Sequence, residues 1–193
     1  MVGLGTWELV LIVAIGGGLC FGIACLGVVV AVARRANSTG STGRWQPPTP
    51  AGEPVRIRAL DLSDRPIDAS ATWNGAELVV SAEKGTAVHL FDVALDRAEQ
   101  SMITYRFRIK TENLQNAVYP EMWCHVDGKG KFFSRGLDRK VRGTNDWPLV
   151  EIPFFLESGQ RASLLNLNLV FEGAGAVRLK EIEVLSTPVN RSP

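Results

Sequence analysis

A segment in the second half of the chain carries side chains suited to holding a polar ligand. Trp123 lies between Met122 and Cys124 in a stretch that predicts a β-strand, and successive residues of a strand face opposite sides. Because cysteine is usually buried, we expect Trp123 to face solvent. An exposed indole ring can stack on the apolar C–H faces of a sugar. The candidate ligand surface therefore comprises Trp123, Tyr119, His125 and Arg135.

The residues of the same region do not form a recognisable catalytic set. Glu121 and Asp127 are both carboxylates, but a glycosidase pair must flank its substrate at a set separation, which their spacing does not fix. Ser101, His125 and Asp138 lack the sequence context of a catalytic triad. The chain also contains no Gly-x-Ser-x-Gly elbow and no phosphate-binding loop. We predict a non-catalytic protein.

Composition argues against metal and nucleic-acid ligands. Beyond residue 54 the chain holds one cysteine, Cys124, and its only histidines are His89 and His125, so a closed zinc site would need added carboxylates. The 21 basic and 20 acidic residues leave a formal net charge of +1, which gives no basic surplus for nucleic acid. We expect no metal, no cofactor and no nucleic-acid partner.

Period-two alternation and turn residues predict that β-strands carry these side chains. In residues 102–111 branched and aromatic side chains alternate with polar ones, Asp127-Gly128-Lys129-Gly130 indicates a hairpin, and a phase shift near Lys180 indicates a bulge. The predicted strands are 55–60, 77–82, 86–93, 102–111, 118–126, 131–137, 149–155, 164–171 and 177–185. About nine strands with no long helical pattern between them predict an all-β, antiparallel β-sandwich of jelly-roll type.

Two turns in this region carry a family resemblance. Gly-Thr-Asn-Asp-Trp at residues 143–147 and Gly-Ala-Gly at residues 173–175 each lead into a strand. Residues 102–185 resemble bacterial galactose-binding-like jelly rolls, which are close in fold to carbohydrate-binding modules. The resemblance implies the sandwich fold. The turn residues Thr144, Asn145 and Asp146 can bond their own backbone, and we expect Trp147 after them to pack across the sandwich edge in the core. In the last strand Arg178, Lys180 and Glu181 replace the family's usual aromatic and acidic residues, so no ligand or calcium site is carried over.

A run of 25 uncharged residues, 9–33, predicts a transmembrane helix that follows a short flank, residues 1–8. A cleaved signal peptide is the alternative, although the run is long and has no basic residue before it. Ala14, Gly18 and Gly22 recur every fourth residue and share one helix face, the spacing that lets two membrane helices pair as a homodimer. The plainer interpretation is that glycine is common in membrane spans.

The remaining organisation follows from composition. Residues 34–54 read as a Ser/Gly/Pro linker, 55–186 as the β-sandwich domain and 187–193 as a tail. Arg34, Arg35 and Arg44 follow the apolar run and favour a cytoplasmic domain. The type of domain favours the opposite side of the membrane, so the orientation stays open.

Two functions are compatible with these features. The first is a membrane-tethered binding module for a carbohydrate or another polar ligand. The second is a structural or scaffolding membrane protein whose sheet contacts another protein. An exposed aromatic platform favours the first function, and a flat apolar patch favours the second.

Overall fold

The computed structural model describes residues 48–190, which fold into an antiparallel all-β structure without a helix. Alternating burial along the strands reflects the alternation of apolar and polar residues in the sequence. The ten strands in this part of the chain are β1 (Thr49–Pro50), β2 (Val55–Leu60), β3 (Ala71–Asn74), β4 (Glu77–Ala82), β5 (Thr86–Glu99), β6 (Ser101–Val126), β7 (Gly130–Arg135), β8 (Val141–Phe155), β9 (Arg161–Phe171) and β10 (Gly175–Asn190).

The 26-residue strand β6 takes part in both layers of the fold. Its first half pairs with β10 and β8, and β10 in turn pairs with β1, β2 and β4, with β3 beyond β4. Its second half pairs with β9 and β7, and β9 pairs with β5. The layer with the order β5-β9-β6-β7 is called the second sheet below.

The inward sides of both layers form one apolar core. Tyr105 and Phe107 of the first layer and Leu165 and Leu167 of the second sheet are completely buried in the same cluster. Burial of each such side chain contributes about 1.5–3 kcal/mol relative to exposure, which makes the two-layer packing the main source of stability. The structure is a β-sandwich.

The predicted all-β antiparallel sandwich is confirmed, with some differences in strand limits. Residues 102–111 and 118–126 were predicted as two strands but are continuous in β6, because the chain between them stays extended apart from register shifts around Leu114. Strand β3 was not predicted. Strand β1 and the last residues of β10 lie in segments that the sequence assigned to the linker and the tail.

The prediction that Trp147 packs in the core is wrong. Leu149 pairs with Arg108 while Asp146 pairs with Lys110, so Trp147 and Pro148 form a bulge in β8. Trp147 has a left-handed backbone with φ of 61°, and Lys180 Nζ lies 4.1 Å from the centre of its half-exposed ring. The predicted bulge near Lys180 is confirmed by the register shift between Lys180 and Glu183.

The predicted membrane segment, including Ala14, Gly18 and Gly22, lies outside the described residues. Within residues 48–190 there is no helix with the length and apolar character to cross a bilayer.

Candidate functional site

The outward side of the second sheet presents three rows of side chains that run across its strands, and we call this surface the candidate face. Each row follows from the strand register, since paired residues point to the same side of a sheet. The polar row contains Arg135, Glu121, Asn168 and His89. The aromatic row contains Phe133, Trp123, Asn166 and Asp92. The basic row begins with Lys131 and His125 and ends with Leu164 and Ala94.

Glu121 is the organising residue of the polar row. It is only 4% exposed. Its Oε1 accepts hydrogen bonds from Trp123 Nε1 at 2.8 Å and from Asn168 Nδ2 at 3.1 Å, and its Oε2 accepts one from Arg135 Nε. A buried carboxylate is stable only when its oxygens are paired in this way. Glu121 thus fixes one neighbour on each of three sides.

Electrostatics keep Glu121 ionised. Burial alone would raise its pKa, but the hydrogen bonds from Arg135, Trp123 and Asn168 outweigh this effect, so the pKa lies below the ordinary value of 4.5. The same pairing raises the pKa of Arg135 above its ordinary value. The pair therefore carries fixed, opposite charges at neutral pH.

Two rings form the aromatic end of the middle row. The ring centres of Trp123 and Phe133 are 5.1 Å apart in a tilted arrangement, and Arg135 Cζ lies 4.6 Å from the centre of Phe133. Phe133 remains 50% exposed. The indole is oriented by its bond to Glu121, and the phenyl ring next to it offers an apolar surface to solvent.

A chain of hydrogen bonds links the face from β6 to β5. His125 Nε2 donates to Asn166 Oδ1 at 2.7 Å, and Asn166 Nδ2 donates to Asp92 Oδ1 at 2.6 Å. His89 Nε2 donates to the same Asp92 oxygen at 2.8 Å. All donors in this chain point toward Asp92, so the amide of Asn166 has one fixed orientation. The two histidines of the protein therefore belong to one network on this face.

A shallow depression of about 450 Å³ opens on the candidate face. Its volume falls within the range of small-ligand sites. It extends over all four strands of the second sheet and is lined by Ala87, His89, Trp123, Lys131, Asn166 and Asn168.

Local sequence explains how β7 is placed beside β6. Gly128 and Gly130 have φ of +68° and +100°, a conformation open to glycine, and Lys129 N donates to Val126 O at 3.0 Å. The predicted hairpin at Asp127-Gly128-Lys129-Gly130 is therefore confirmed. It sets the register that brings Phe133 opposite Trp123.

The structure brings the four sequence-predicted ligand residues to one side of the sheet. Met122 and Cys124 are completely buried while Trp123 is half-exposed, as the alternation predicted. His125 and Arg135 flank Trp123 on the same face. Tyr119 lies one step further along β6, opposite Val170, with Lys140 Nζ 5.5 Å from its ring centre.

Several residues of the site were not predicted. Asn166, Asn168, His89 and Asp92 come from β9 and β5, and their position beside β6 depends on a strand order that the sequence does not reveal. Their only sequence signal was the alternation of Asn166 and Asn168 with buried leucines. Phe133 was missed because two adjacent phenylalanines on an edge strand do not show which one faces the site.

In the part of the chain covered by the structure, no three His, Cys, Asp or Glu side chains lie close enough together to hold a metal ion. Cys124 and His125, the adjacent pair considered from sequence, point to opposite sides of β6, and Cys124 is a free thiol in the core.

Comparison with known proteins finds no matching family model and no matching curated protein. A solved CBM4 structure is similar over 64% of this chain and 78% of that chain, with 14% identity and a TM-score of 0.44. The CBM22-1 and GH10 modules of endo-1,4-β-D-xylanase 10B from Clostridium thermocellum, solved with xylohexaose, match 72% of this chain and 26% of theirs at 6% identity and a TM-score of 0.42. The C-terminal domain of EclA, a sugar-binding protein, matches 78% of this chain and 94% of that chain at 17% identity and a TM-score of 0.31. All three TM-scores lie below 0.5, so the fold assignment rests on the strand pairing described above.

Proposed function

We propose that this protein is a non-catalytic carbohydrate-binding module and that the candidate face is its ligand surface. The observation that carries the proposal is the aromatic row, in which the rings of Phe133 and Trp123 adjoin the amide of Asn166 and the carboxylate of Asp92. A sugar presents an apolar C–H face and a rim of hydroxyl groups. Rings beside planar amide and carboxylate groups match both parts of that surface.

The hydrogen bonds within the face support this proposal, because they hold its side chains in place before a ligand arrives. Glu121 fixes Trp123, Asn168 and Arg135, and Asp92 fixes Asn166 and His89. Ordering a free side chain on binding costs about 0.5–1.5 kcal/mol, so preorganised groups retain more of their interaction energy for the ligand.

A binding role suits the carboxylates better than a hydrolytic role. Glu121 has a lowered pKa and accepts bonds at both oxygens, whereas a general acid needs a proton to give and therefore a raised pKa. We therefore propose that Glu121 positions its neighbours and does not react.

The surface of the second sheet favours a scaffolding role less than it favours ligand binding. A protein-docking sheet would present a broad apolar patch, but here the outward rows hold charged and amide side chains around a single aromatic pair. Contact with another protein remains the second function to test if no glycan is found.

We also propose that residues 9–33 tether the module to a membrane, on the strength of their length and lack of charge. Extraction of membranes with alkaline carbonate tests the tether, and release of the intact protein into the supernatant would exclude it. Protease digestion of sealed cells and of inverted vesicles then reveals the side on which the domain lies.

A glycan array followed by titration tests the proposed function. Phe133→Ala removes a ring from the candidate face, and Phe132→Ala is the matched control, since Phe132 is 42% exposed on the other side of the same strand. We expect Phe133→Ala to weaken binding of a selected oligosaccharide about three- to tenfold, as the loss of one aromatic contact implies, and Phe132→Ala to leave it unchanged. Equal affinities for both variants, or an array without any bound glycan, would refute the proposal.

A further inference from the structure

The position of Lys131 adds a charge requirement to the candidate face. Lys131 lies on the edge strand β7, pairs with His125 across the sheet and lines the depression. It is exposed, and among residues 48–190 no carboxylate forms an ion pair with it. An unpaired ammonium group therefore borders the proposed ligand surface.

The two carboxylates in the rows of this face, Glu121 and Asp92, do not neutralise Lys131. Glu121 is committed to Arg135, Trp123 and Asn168. Asp92 lies on β5, three strand spacings or about 14 Å from β7. This separation exceeds the screening length of about 8 Å at physiological ionic strength, so Asp92 does not offset the positive charge of Lys131 at the β7 end of the depression.

Hydrogen-bond direction gives the candidate face a matching polarity. His125 and Asn166 donate in sequence toward Asp92, which gathers the accepted bonds at the β5 end. Lys131 contributes only donors at the β7 end. A ligand with an anionic group at one end and hydroxyl groups at the other would complement both ends.

We infer that the candidate face selects anionic glycans, meaning sugars that carry a carboxylate or a sulfate, with the anionic group at Lys131 and hydroxyl groups directed toward Asp92. This inference rests on the proposed carbohydrate-binding function. A neutral sugar would use Lys131 only as a hydrogen-bond donor, whereas an anion gains a charge-assisted bond that is shorter and stronger.

Titration of the full-length chain with three matched probes tests the inference. The probes are oligogalacturonate, the same oligosaccharide after chemical reduction of its carboxyl groups, and a sulfated galactan oligosaccharide. Lys131→Gln removes the charge but keeps a donor, and Lys129→Gln removes the same charge from the adjoining turn, outside the depression. We expect Lys131→Gln to weaken binding of an anionic probe about two- to fivefold, the range of one exposed ion pair, with no change for Lys129→Gln or for the reduced probe.

The outcomes separate this inference from the proposed function. The inference is supported if either anionic probe binds more tightly than the reduced probe, and if this difference is lost in Lys131→Gln and weakened by salt. The probe that binds then identifies the anionic group. Equal binding of anionic and reduced probes, with sensitivity to Phe133→Ala, overturns the inference and leaves the proposed function standing. Failure of every probe and every arrayed glycan to bind overturns both.

Discussion

The indole nitrogen of Trp123 donates a 2.8 Å hydrogen bond to the carboxylate of Glu121, two residues earlier on the same outward side of β6. Because the same carboxylate also holds Arg135 and Asn168, one ionised group orients side chains on three neighbouring strands. The aromatic platform of the second sheet therefore depends on the charge state of a nearly buried glutamate.

Neutralising Glu121 should destabilise the fold in a pH-dependent way. Because its pKa is lower in the folded chain than in the unfolded chain, its stabilising contribution is present above about pH 4.5 and is lost as the pH falls through the lower folded pKa. We expect Glu121→Gln to lower the free energy of unfolding by about 1.5–3 kcal/mol at pH 7, as for hydrogen bonds to a charged group. Urea unfolding from pH 7 to pH 3 measures the difference from wild type, which should shrink as the pH falls.

Asp127→Asn is the control for this experiment. Asp127 is an exposed carboxylate on the adjoining hairpin, and its substitution removes one negative charge without touching the Glu121 network. An equal loss of stability in both variants, or a Glu121→Gln deficit that stays constant down to pH 3, would contradict the role assigned to Glu121.

Asp92 should matter for binding more than for stability. Asp92→Ala removes the acceptor at which the bonds from Asn166 and His89 meet, and its side chain is 45% exposed. We expect glycan affinity to fall about three- to tenfold, the worth of one or two hydrogen bonds, with less than about 1 kcal/mol lost from the unfolding free energy. Titration calorimetry measures the affinity, with Asp96→Ala as the control because Asp96 is an exposed carboxylate on the same strand. Unchanged affinity in Asp92→Ala would count against the placement of Asp92 in the site.

Backbone strain at Trp147 gives a third prediction. Its φ of 61° is costly for any residue with a Cβ atom and open to glycine. We expect Trp147→Ala to be less stable than Trp147→Gly by about 1 kcal/mol, because both variants lose the ring but only the alanine variant keeps the backbone strain. Thermal unfolding of the two variants measures the difference, and a more stable alanine variant would indicate that the bulge relaxes.

Cys124 should resist modification in the native protein. Burial raises the pKa of its thiol to about 11, and the side chain is completely enclosed in the core. We expect no alkylation of the Cys124 peptide by iodoacetamide at pH 8, followed by rapid alkylation in urea. Peptide mapping separates this thiol from Cys20 and Cys25, and rapid labelling without denaturant would show that the sandwich opens readily.

The success of the sequence predictions depended on whether a feature was local. The alternation around Trp123 and Cys124 established which ring faces solvent, and Gly128 and Gly130 indicated the hairpin that follows. Trp147 was placed wrongly because its ring was expected to pack behind a turn, whereas it lies in a bulge of β8 that leaves the ring half-exposed.

The polar half of the site required long-range information. Asn166 and Asp92 are 74 positions apart, and they meet because β9 lies between β6 and β5. Strand order is decided by packing of the whole core, so neither residue type nor local spacing could reveal that pair.

The most direct test of the central claim is two-dimensional NMR of the tryptophan indole N–H groups during titration with the oligosaccharide selected on the array. The chain has five tryptophans, and Trp73 serves as an internal control, because it lies on β3 in the first layer, where its indole donates to Asp64 O. We predict that the Trp123 signal shifts with a saturable dependence on ligand while the Trp73 signal stays in place. If the ligand binds and the Trp123 signal does not shift, the account is contradicted. A shift at Trp73 or Trp147 in place of Trp123 would contradict it as well.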